Sequence, residues 1–236
     1  MNEKFNEFVE KLKEIKDRGF IKTHRAGNTG IGKTLEDLLG IEENNIPTPN
    51  CVTAELKSAR KNAASMLTLL TKSPLPQKAN SELLQKYGYA SLKRSDKKEL
   101  HTTVNALEFN QLKGKQGFKI DIKKDKLNLI AINNEILGYW NKEVLKKAFE
   151  KKYPGLLYVK AESKGKGKKE EFWFNEAWLL YGFSFENFIK LTRVGVIKID
   201  IRIGQYPDGS PHDHGTGFRV LPDKLDLCFS HREKIM

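Results

Sequence analysis

The stretch Val196-Ile197-Lys198-Ile199-Asp200-Ile201-Arg202-Ile203 leaves this chain little conformational freedom. Side chains alternate across a strand, so the four isoleucines share one face and Lys198, Asp200 and Arg202 share the other. One face therefore belongs to a core, and the other presents a row of alternating charge. A turn at Pro207-Asp208-Gly209 follows, and then Pro211-His212-Asp213-His214-Gly215-Thr216-Gly217-Phe218-Arg219. If that segment is extended, His212 and His214 share a face.

Three chemistries compete for this cluster. His-x-His is a zinc-ligand spacing, but Cys228 is the one distal thiol and no further histidine pair lies nearby. A hydrogen-bonded structural network is the second reading. The third, which is preferred, is the reading of base edges in a DNA groove. Arginine donates two hydrogen bonds to guanine, and aspartate accepts from the cytosine amino group.

Charge points the same way. Among 236 residues, Lys+Arg number 42 against 30 Asp+Glu, a formal net charge of +12, which favours a polyanionic partner through counterion release. Hydrophobic content of 39% with 10% aromatics supports a packed interior and excludes global disorder. Cys51 and Cys228 are too few for a disulfide framework. Met1 to Lys16 lacks the apolar core of a secretory signal, and no apolar run approaches membrane-spanning length. The expectation is a soluble, cytoplasmic protein without a membrane partner.

The rest of the chain alternates helices and strands. Phe5, Phe8, Val9, Leu12 and Ile15 recur at helical spacing before Gly19, and Leu35, Leu38 and Leu39 do so before Gly40. Strands are expected at Met66–Thr71, Phe118–Lys123 and Leu127–Ile132. A helix is expected over Lys142–Lys151, capped by Asn141 and packing Val144, Leu145, Ala148 and Phe149. Leu156–Ala161 and Glu171–Phe174 read as strands flanking the basic tip Lys164–Lys169, and Ser184 caps a helix carrying Phe185, Phe188 and Ile189. Ser58–Asn62 reads as a basic link, and Gln77–Glu99 shows poor periodicity.

Gly27-Asn28-Thr29-Gly30-Ile31-Gly32-Lys33-Thr34 matches the phosphate-loop pattern GxxxxGK[ST]. That loop needs a buried apolar strand before it, whereas Lys22-Thr23-His24-Arg25 is polar. It also needs a magnesium-holding acid after an apolar strand, where Leu129–Ile132 leads into Asn133. A glycine-rich turn allowing close backbone approach is the better account.

Pro49-Asn50-Cys51-Val52-Thr53-Ala54-Glu55-Leu56-Lys57 carries the catalytic expectation. In a strand, Glu55 and Lys57 point one way with Thr53, while Ala54 and Leu56 point the other. A carboxylate and an ammonium side by side after a proline-led bend can hold a hard cation and steer a water molecule. The spacing is that of the PD-(D/E)xK nuclease motif, with Asn50 where the first acid belongs.

Taken together, these motifs resemble the MvaI/BcnI-type restriction endonucleases, relatives of the MutH nicking enzyme of mismatch repair. The resemblance runs through Gly27–Leu39, Glu43-Asn44-Asn45, Glu55-Leu56-Lys57 and Leu67-Thr68-Leu69-Leu70-Thr71-Lys72-Ser73-Pro74. Near the other end, Asp200–Gly204, Tyr206, His212–Thr216 and Phe218-Arg219 resemble the MvaI branch. The resemblance implies a mixed α/β, restriction-endonuclease-like core with flanking helices. It implies two lobes around a DNA cleft, catalytic over 1–110 and recognition over 111–236.

It further implies a monomeric, Mg2+-dependent type II enzyme that cuts double-stranded DNA one strand per binding event. The target would be a short GC-rich site of the CCWGG kind, and a cognate DNA methyltransferase would complete the restriction-modification system. Asn50, Glu55 and the Leu56 carbonyl would ligate the metal, with Mn2+ or Ca2+ able to occupy the same place. Lys57 would position the attacking water, and Glu36 would support the site from its helix. Lys72, Lys198, Asp200, Arg202, Tyr206, His212, Asp213, His214 and Arg219 would contact DNA.

Asn50 departs from the family pattern. A neutral amide oxygen in place of a carboxylate lowers metal affinity and removes repulsion against DNA phosphates. The chain is then either an inactivated nuclease suited to holding uncut DNA, which is preferred, or a natural variant that binds without cutting or rebuilds its metal site with Glu36. A non-catalytic sequence-specific DNA-binding protein and a MutH-like nickase are the alternative functions.

Overall fold

A computed structural model describes residues 3–41, 54–92, 94, 96–153 and 155–236; Asn50, Cys51 and Thr53 lie outside the described residues. The helical spacing of the first residues becomes α1 (Glu3–Asp17), which buries Phe5, Leu12 and Ile15. A short strand β1 (Ile21–Lys22) leads to α2 (Gly30–Leu39). This helix stops where Gly40 adopts the left-handed conformation, with φ 71°, and the following amide of Ile41 returns to the Glu36 carbonyl at 2.8 Å.

Then come β2 (Glu55–Arg60), β3 (Leu67–Thr71), α3 (Ala79–Tyr87), β4 (Tyr89–Ala90) and β5 (Lys98–Val104). A small hairpin of β6 (Gln111–Leu112) and β7 (Lys115–Gln116) precedes β8 (Phe118–Ile122), β9 (Lys126–Ala131) and β10 (Ile136–Asn141). The chain continues through α4 (Lys142–Lys152), β11 (Leu156–Lys164), β12 (Glu171–Tyr181) and α5 (Phe185–Arg193). It closes with β13 (Ile197–Gln205), β14 (Pro211–Asp213), β15 (Gly217–Val220) and β16 (His231–Lys234).

The elements gather into two compact units drawn from separated stretches. The first comprises Met1–Ala64, Glu150–Ser184 and Asp226–Met236, and the second comprises Ser65–Phe149 and Phe185–Leu225. A division at residue 110 therefore falls inside the second unit. The physical reason is strand pairing at long range: β11 returns to lie parallel to β2, with Leu156 opposite Glu55 and Leu157 opposite Leu56.

The first unit is a mixed sheet in the order β1-β12-β11-β2, with β16 also paired to β12. Helices α1 and α2 cover it. Leu12 and Ile15 from α1, Ile31, Leu35 and Leu39 from α2, and Leu56, Leu157, Val159, Phe172 and Phe174 from the strands form one buried cluster. Each fully buried side chain of this kind contributes roughly 1.5–3 kcal/mol. The sheet and its helices thus hold α2 against β2, where the catalytic expectation lies.

The second unit contains an antiparallel sheet ordered β3-β15-β13-β5-β4, with β14 paired to β13, and a smaller sheet ordered β10-β9-β8. Ile197, Ile199, Ile201 and Ile203 are all fully buried, as their alternation requires. Phe188 of α5 packs on Phe218 of β15 at 5.1 Å between ring centroids, and on Phe149 at 5.3 Å. No helix among the described residues is long and apolar enough to cross a membrane.

Several expectations change. Ser58–Arg60 is not a link but the continuation of β2, closed by Arg60, whose Nε and Nη2 donate to the two carboxylate oxygens of Glu170 at 2.6 and 2.8 Å. Helix α3 occupies the stretch of poor periodicity, because it buries only Ala79, Leu83 and Leu84. Asn141 does cap α4, accepting from the Glu143 amide at 2.9 Å, but Val144 is 41% exposed and only Leu145 and Phe149 of its apolar set are buried. Strand β12 runs on to Tyr181, past an irregularity in its pairing with β11 at Lys160/Ala161 that interrupts the alternation.

Candidate active site and nucleic-acid interface

Strand β2 is an edge strand among the described residues, paired only to β11. The Glu55 amide donates to the Gly155 carbonyl and the Lys61 amide to the Ala161 carbonyl, each at 2.9 Å. In a parallel ladder the backbone groups of alternate residues face the same neighbour. Odd-numbered residues of β2 therefore turn toward β11, and the Leu56 carbonyl faces the unpaired edge.

Glu55 and Lys57 share one face of that strand, and Lys57 Nζ lies 3.0 Å from Glu55 Oε1. Glu55 is only 3% exposed. Burying a carboxylate is costly unless it is paired, and a second cation joins the first: Lys152 Nζ, from the last residue of α4, is also 3.0 Å from Oε1. Nothing in the local pattern around position 152 marks it; only the β2–β11 pairing brings it there. Tyr153, next along, is buried against Phe183 and Phe229 with ring centroids at 5.5 and 6.5 Å. Burial and the nearby Glu55 charge push its phenol well above the usual range.

Glu36 is half-buried on α2, which packs on β2 through the shared core. Among the described residues, no three His, Cys, Asp or Glu side chains cluster as a ready metal cage. What β2 offers is a hard-oxygen set: the Glu55 carboxylate and the outward Leu56 carbonyl. Both suit a hard divalent cation.

The phosphate-loop pattern resolves into local structure. Lys33 Nζ pairs with Asp37 Oδ1 at 2.7 Å, and His24 Nδ1 meets Asp37 Oδ2 at 2.8 Å. Together, Lys33 first and His24 second, they lower the Asp37 pKa. Thr34 Oγ1 donates to the Gly30 carbonyl at 2.7 Å and accepts from the His24 amide at 2.9 Å. The strand ahead of the loop, β1, is two residues long and antiparallel to β12. The lysine and threonine of a nucleotide loop are here used to tie down the start of a helix.

In the second unit, the charged face of β13 is organised by Asp200. Its carboxylate is 1% exposed. Arg202 Nε contacts Oδ2 at 2.8 Å, Arg219 Nη1 contacts the same oxygen at 3.2 Å, and Thr103 Oγ1 donates to Oδ1 at 2.9 Å. The alternation of β13 predicts a row of surface charge; the structure instead has a buried anion holding two guanidiniums. Burial draws the Arg219 pKa down from its ordinary value, against the pull of Asp200. Lys198 stands opposite Arg219 in the register of β13 and β15.

The histidines form an aromatic chain. Tyr206 stacks on His212 at 4.2 Å, His212 meets His214 at 4.2 Å, and His101 lies 6.1 Å from His214. Burial lowers the His101 and His214 pKa values, the latter further through His212. Asp213 is bound from four sides: Ser73 Oγ at 2.6 Å, Asn80 Nδ2 at 3.0 Å, and the Gly215 and Thr216 amides at 2.8 and 2.6 Å. Burial works to raise its pKa, but these donors outweigh it and hold the carboxyl below its usual value. Both aspartates are thus taken up by protein donors, and what they shape is the placement of arginines and histidines. Lys72 is exposed; its backbone donates to the Thr216 carbonyl at 3.0 Å and accepts from Trp140 Nε1 at 2.8 Å.

The zinc reading has no support in this geometry. His212 and His214 belong to no cluster of three potential ligands among the described residues, and the buried Cys228 thiol is pushed up to about 12 by its burial.

The MvaI/BcnI restriction endonuclease family model matches residues 9–229. The chain belongs to that family. It is 34% identical to MvaI in a complex described as restriction endonuclease MvaI with cognate DNA substrate, covering 100% of both chains with a TM-score of 0.87. It is 33% identical to MvaI in the absence of DNA, covering 100% of this chain and 99% of that one, with a TM-score of 0.58. No curated protein matches the chain.

Within this MvaI/BcnI family member, two residues beyond the sequence-derived set stand at the candidate sites. His101 lies directly across from Arg202 in the pairing of β5 with β13, and its buried Nε2 has no hydrogen-bond partner among the described residues. The buried Nε of Arg219 also has none. Lys152 is the second. A lone histidine in a strand and a lysine ending a basic helix carry no local signal; strand register and helix placement bring them in.

Proposed function

We propose that this chain is, by descent, a type II enzyme that hydrolyses phosphodiester bonds of double-stranded DNA at a short GC-rich site of the CCWGG kind. The observation that carries the reading is the Glu55–Lys57 pair on an edge strand of a chain that belongs to a restriction endonuclease family. It acts as a monomer on one strand per binding event, alongside a cognate methyltransferase that protects host DNA.

Glu55 and the Leu56 carbonyl would hold Mg2+, with Asn50 contributing an amide oxygen. Bound there, the ion supplies Lewis acidity and an acidified water. Lys57 holds its ammonium beside Glu55, where it donates to the attacking water and stabilises the extra charge that gathers on phosphorus as the leaving oxygen departs. Glu36 supports this arrangement from α2. Arg202 and Arg219, oriented by Asp200, present paired donors suited to guanine O6 and N7, while His101, His214, His212 and Tyr206 supply an adjoining set of ring edges and faces. Lys72 and Lys198 contribute phosphate contacts.

Asn50 favours a second reading, binding without cutting, because an amide is a weaker ligand for a hard cation than a carboxylate. The deciding experiment is Asn50→Asp, incubated beside the parent with plasmid carrying CCWGG sites, with and without Mg2+. Discrete fragments from Asn50→Asp alone, and only with Mg2+, are expected. If neither protein cuts and both retard the DNA, the chain is a binding protein.

A further inference from the structure

Glu55 is paired in an unusual way. One buried carboxylate oxygen holds two ammonium groups, Lys57 and Lys152, each at 3.0 Å. Two like charges on one acceptor repel each other, so the arrangement carries an excess positive charge beside the oxygen that a divalent cation would need. The two lysines are anchored differently. Lys57 leaves the same strand as Glu55, two residues on, and alternation fixes it to the same face. Lys152 arrives from the final residue of α4. Its backbone is pinned by the buried Tyr153 ring against Phe183 and Phe229, while its ammonium sits at the end of a four-carbon stem and is partly exposed.

We propose that Lys152 is a positioning residue that serves as Glu55's counterion before metal arrives, and that it gives way to the divalent cation when a DNA phosphate takes up its ammonium. The inference rests on the metal site of the reading above and assigns Lys152 a role distinct from Lys57. Lys57 stays with the reacting groups. Lys152 keeps the carboxylate oriented and closed to a stray cation until a phosphodiester offers the ammonium another anion. Metal and DNA binding are then coupled, and by linkage each strengthens the other by the same factor.

The test is calorimetric titration with CaCl2, without and with an uncut duplex carrying one CCWGG site. It compares the parent, Asn50→Asp, Lys152→Met, Lys152→Arg and Glu55→Gln. Lys152→Met should bind Ca2+ about ten-fold more tightly without DNA, the order expected for removing one unit charge a few ångströms from a dication. Lys152→Arg should match the parent, and Glu55→Gln should lose binding. The tightening that DNA brings should shrink in Lys152→Met, and the salt dependence of DNA binding without metal should fall by about one phosphate contact.

Lys152→Gln, which keeps the stem length and loses the charge, gives the same readout if the methionine variant does not fold. Unchanged or weaker Ca2+ binding in a folded charge-removal variant overturns the proposal while leaving the nuclease reading intact. Failure of every form, Asn50→Asp included, to bind Ca2+ overturns the proposal together with the metal site. Tighter Ca2+ binding in Lys152→Met, combined with no cleavage by Asn50→Asp, upholds Lys152 as counterion and removes the nuclease reading alone.

Discussion

Glu55 and Asp200 are built alike and used differently. Each is a carboxylate withdrawn from solvent, at 3% and 1% exposure, and each holds two cations. Around Glu55 the cations are lysines, compact point charges on flexible stems that can trade one anion for another. Around Asp200 they are arginines, whose planar forks keep direction as well as charge. Thr103 fills the second oxygen of Asp200, so that carboxylate is committed to the protein. The first arrangement suits a site that must exchange its counterions for metal and phosphate. The second suits a site that must present donors at a fixed angle to whatever it reads.

The largest test of this contrast is Asp200→Ala. It leaves two half-buried guanidiniums facing each other, and removal of one partner from such a buried set costs about 3–5 kcal/mol. A strongly lowered midpoint in urea unfolding is expected; a loss under about 1 kcal/mol would mean that the arginines hold themselves and that Asp200 organises nothing.

Arg202→Lys asks the next question. A lysine keeps the charge and loses the fork, so affinity for nonspecific DNA should hold while discrimination at one base pair falls by about 1–3 kcal/mol. Competition binding against duplexes altered one base pair at a time measures this. Equal loss on every duplex would place Arg202 on the phosphate backbone instead.

The smallest effect is in pH. Burial lowers the His101 and His214 pKa values in the folded state, so the unfolded chain binds more protons than the folded one just below pH 6.5. Stability contributed by these groups is full above about 6.5 and declines as pH falls through that value toward the lowered folded-state pKa. His101→Phe should flatten the decline that sets in below about pH 6.5 in thermal melts. An unchanged slope would remove His101 from the source of the pH dependence and leave the arginine region, like the lysine region, defined by its permanent cations.

Much of this molecule was readable in one dimension, and specific residues show where that ended. The isoleucine alternation of β13, the Gly40 stop of α2 and the Asn141 cap of α4 depend on neighbours a few residues away, and all three stand as the spacing requires. Glu55 and Lys57 share a face for the same reason. The phosphate-loop pattern misleads because its letters are also those of a glycine-led helix start, where Lys33 and Thr34 find local partners. Val144 stands outside the core because helical spacing names a stripe wider than the neighbour that covers it.

By itself, the sequence determined the mixed α/β character, the family, and the residue types that any catalytic or recognition chemistry must use. Tertiary structure alone decided which of the distant ones meet. Lys152 reaches Glu55 because β11 returns to β2, His101 faces Arg202 because β5 pairs with β13, and Asp200 is sealed between arginines because β15 lies alongside. Periodicity is set by the backbone's own repeat, within a turn or a pleat. Counterion partnership is set by which distant strands pair, and that follows from the burial of whole faces at once.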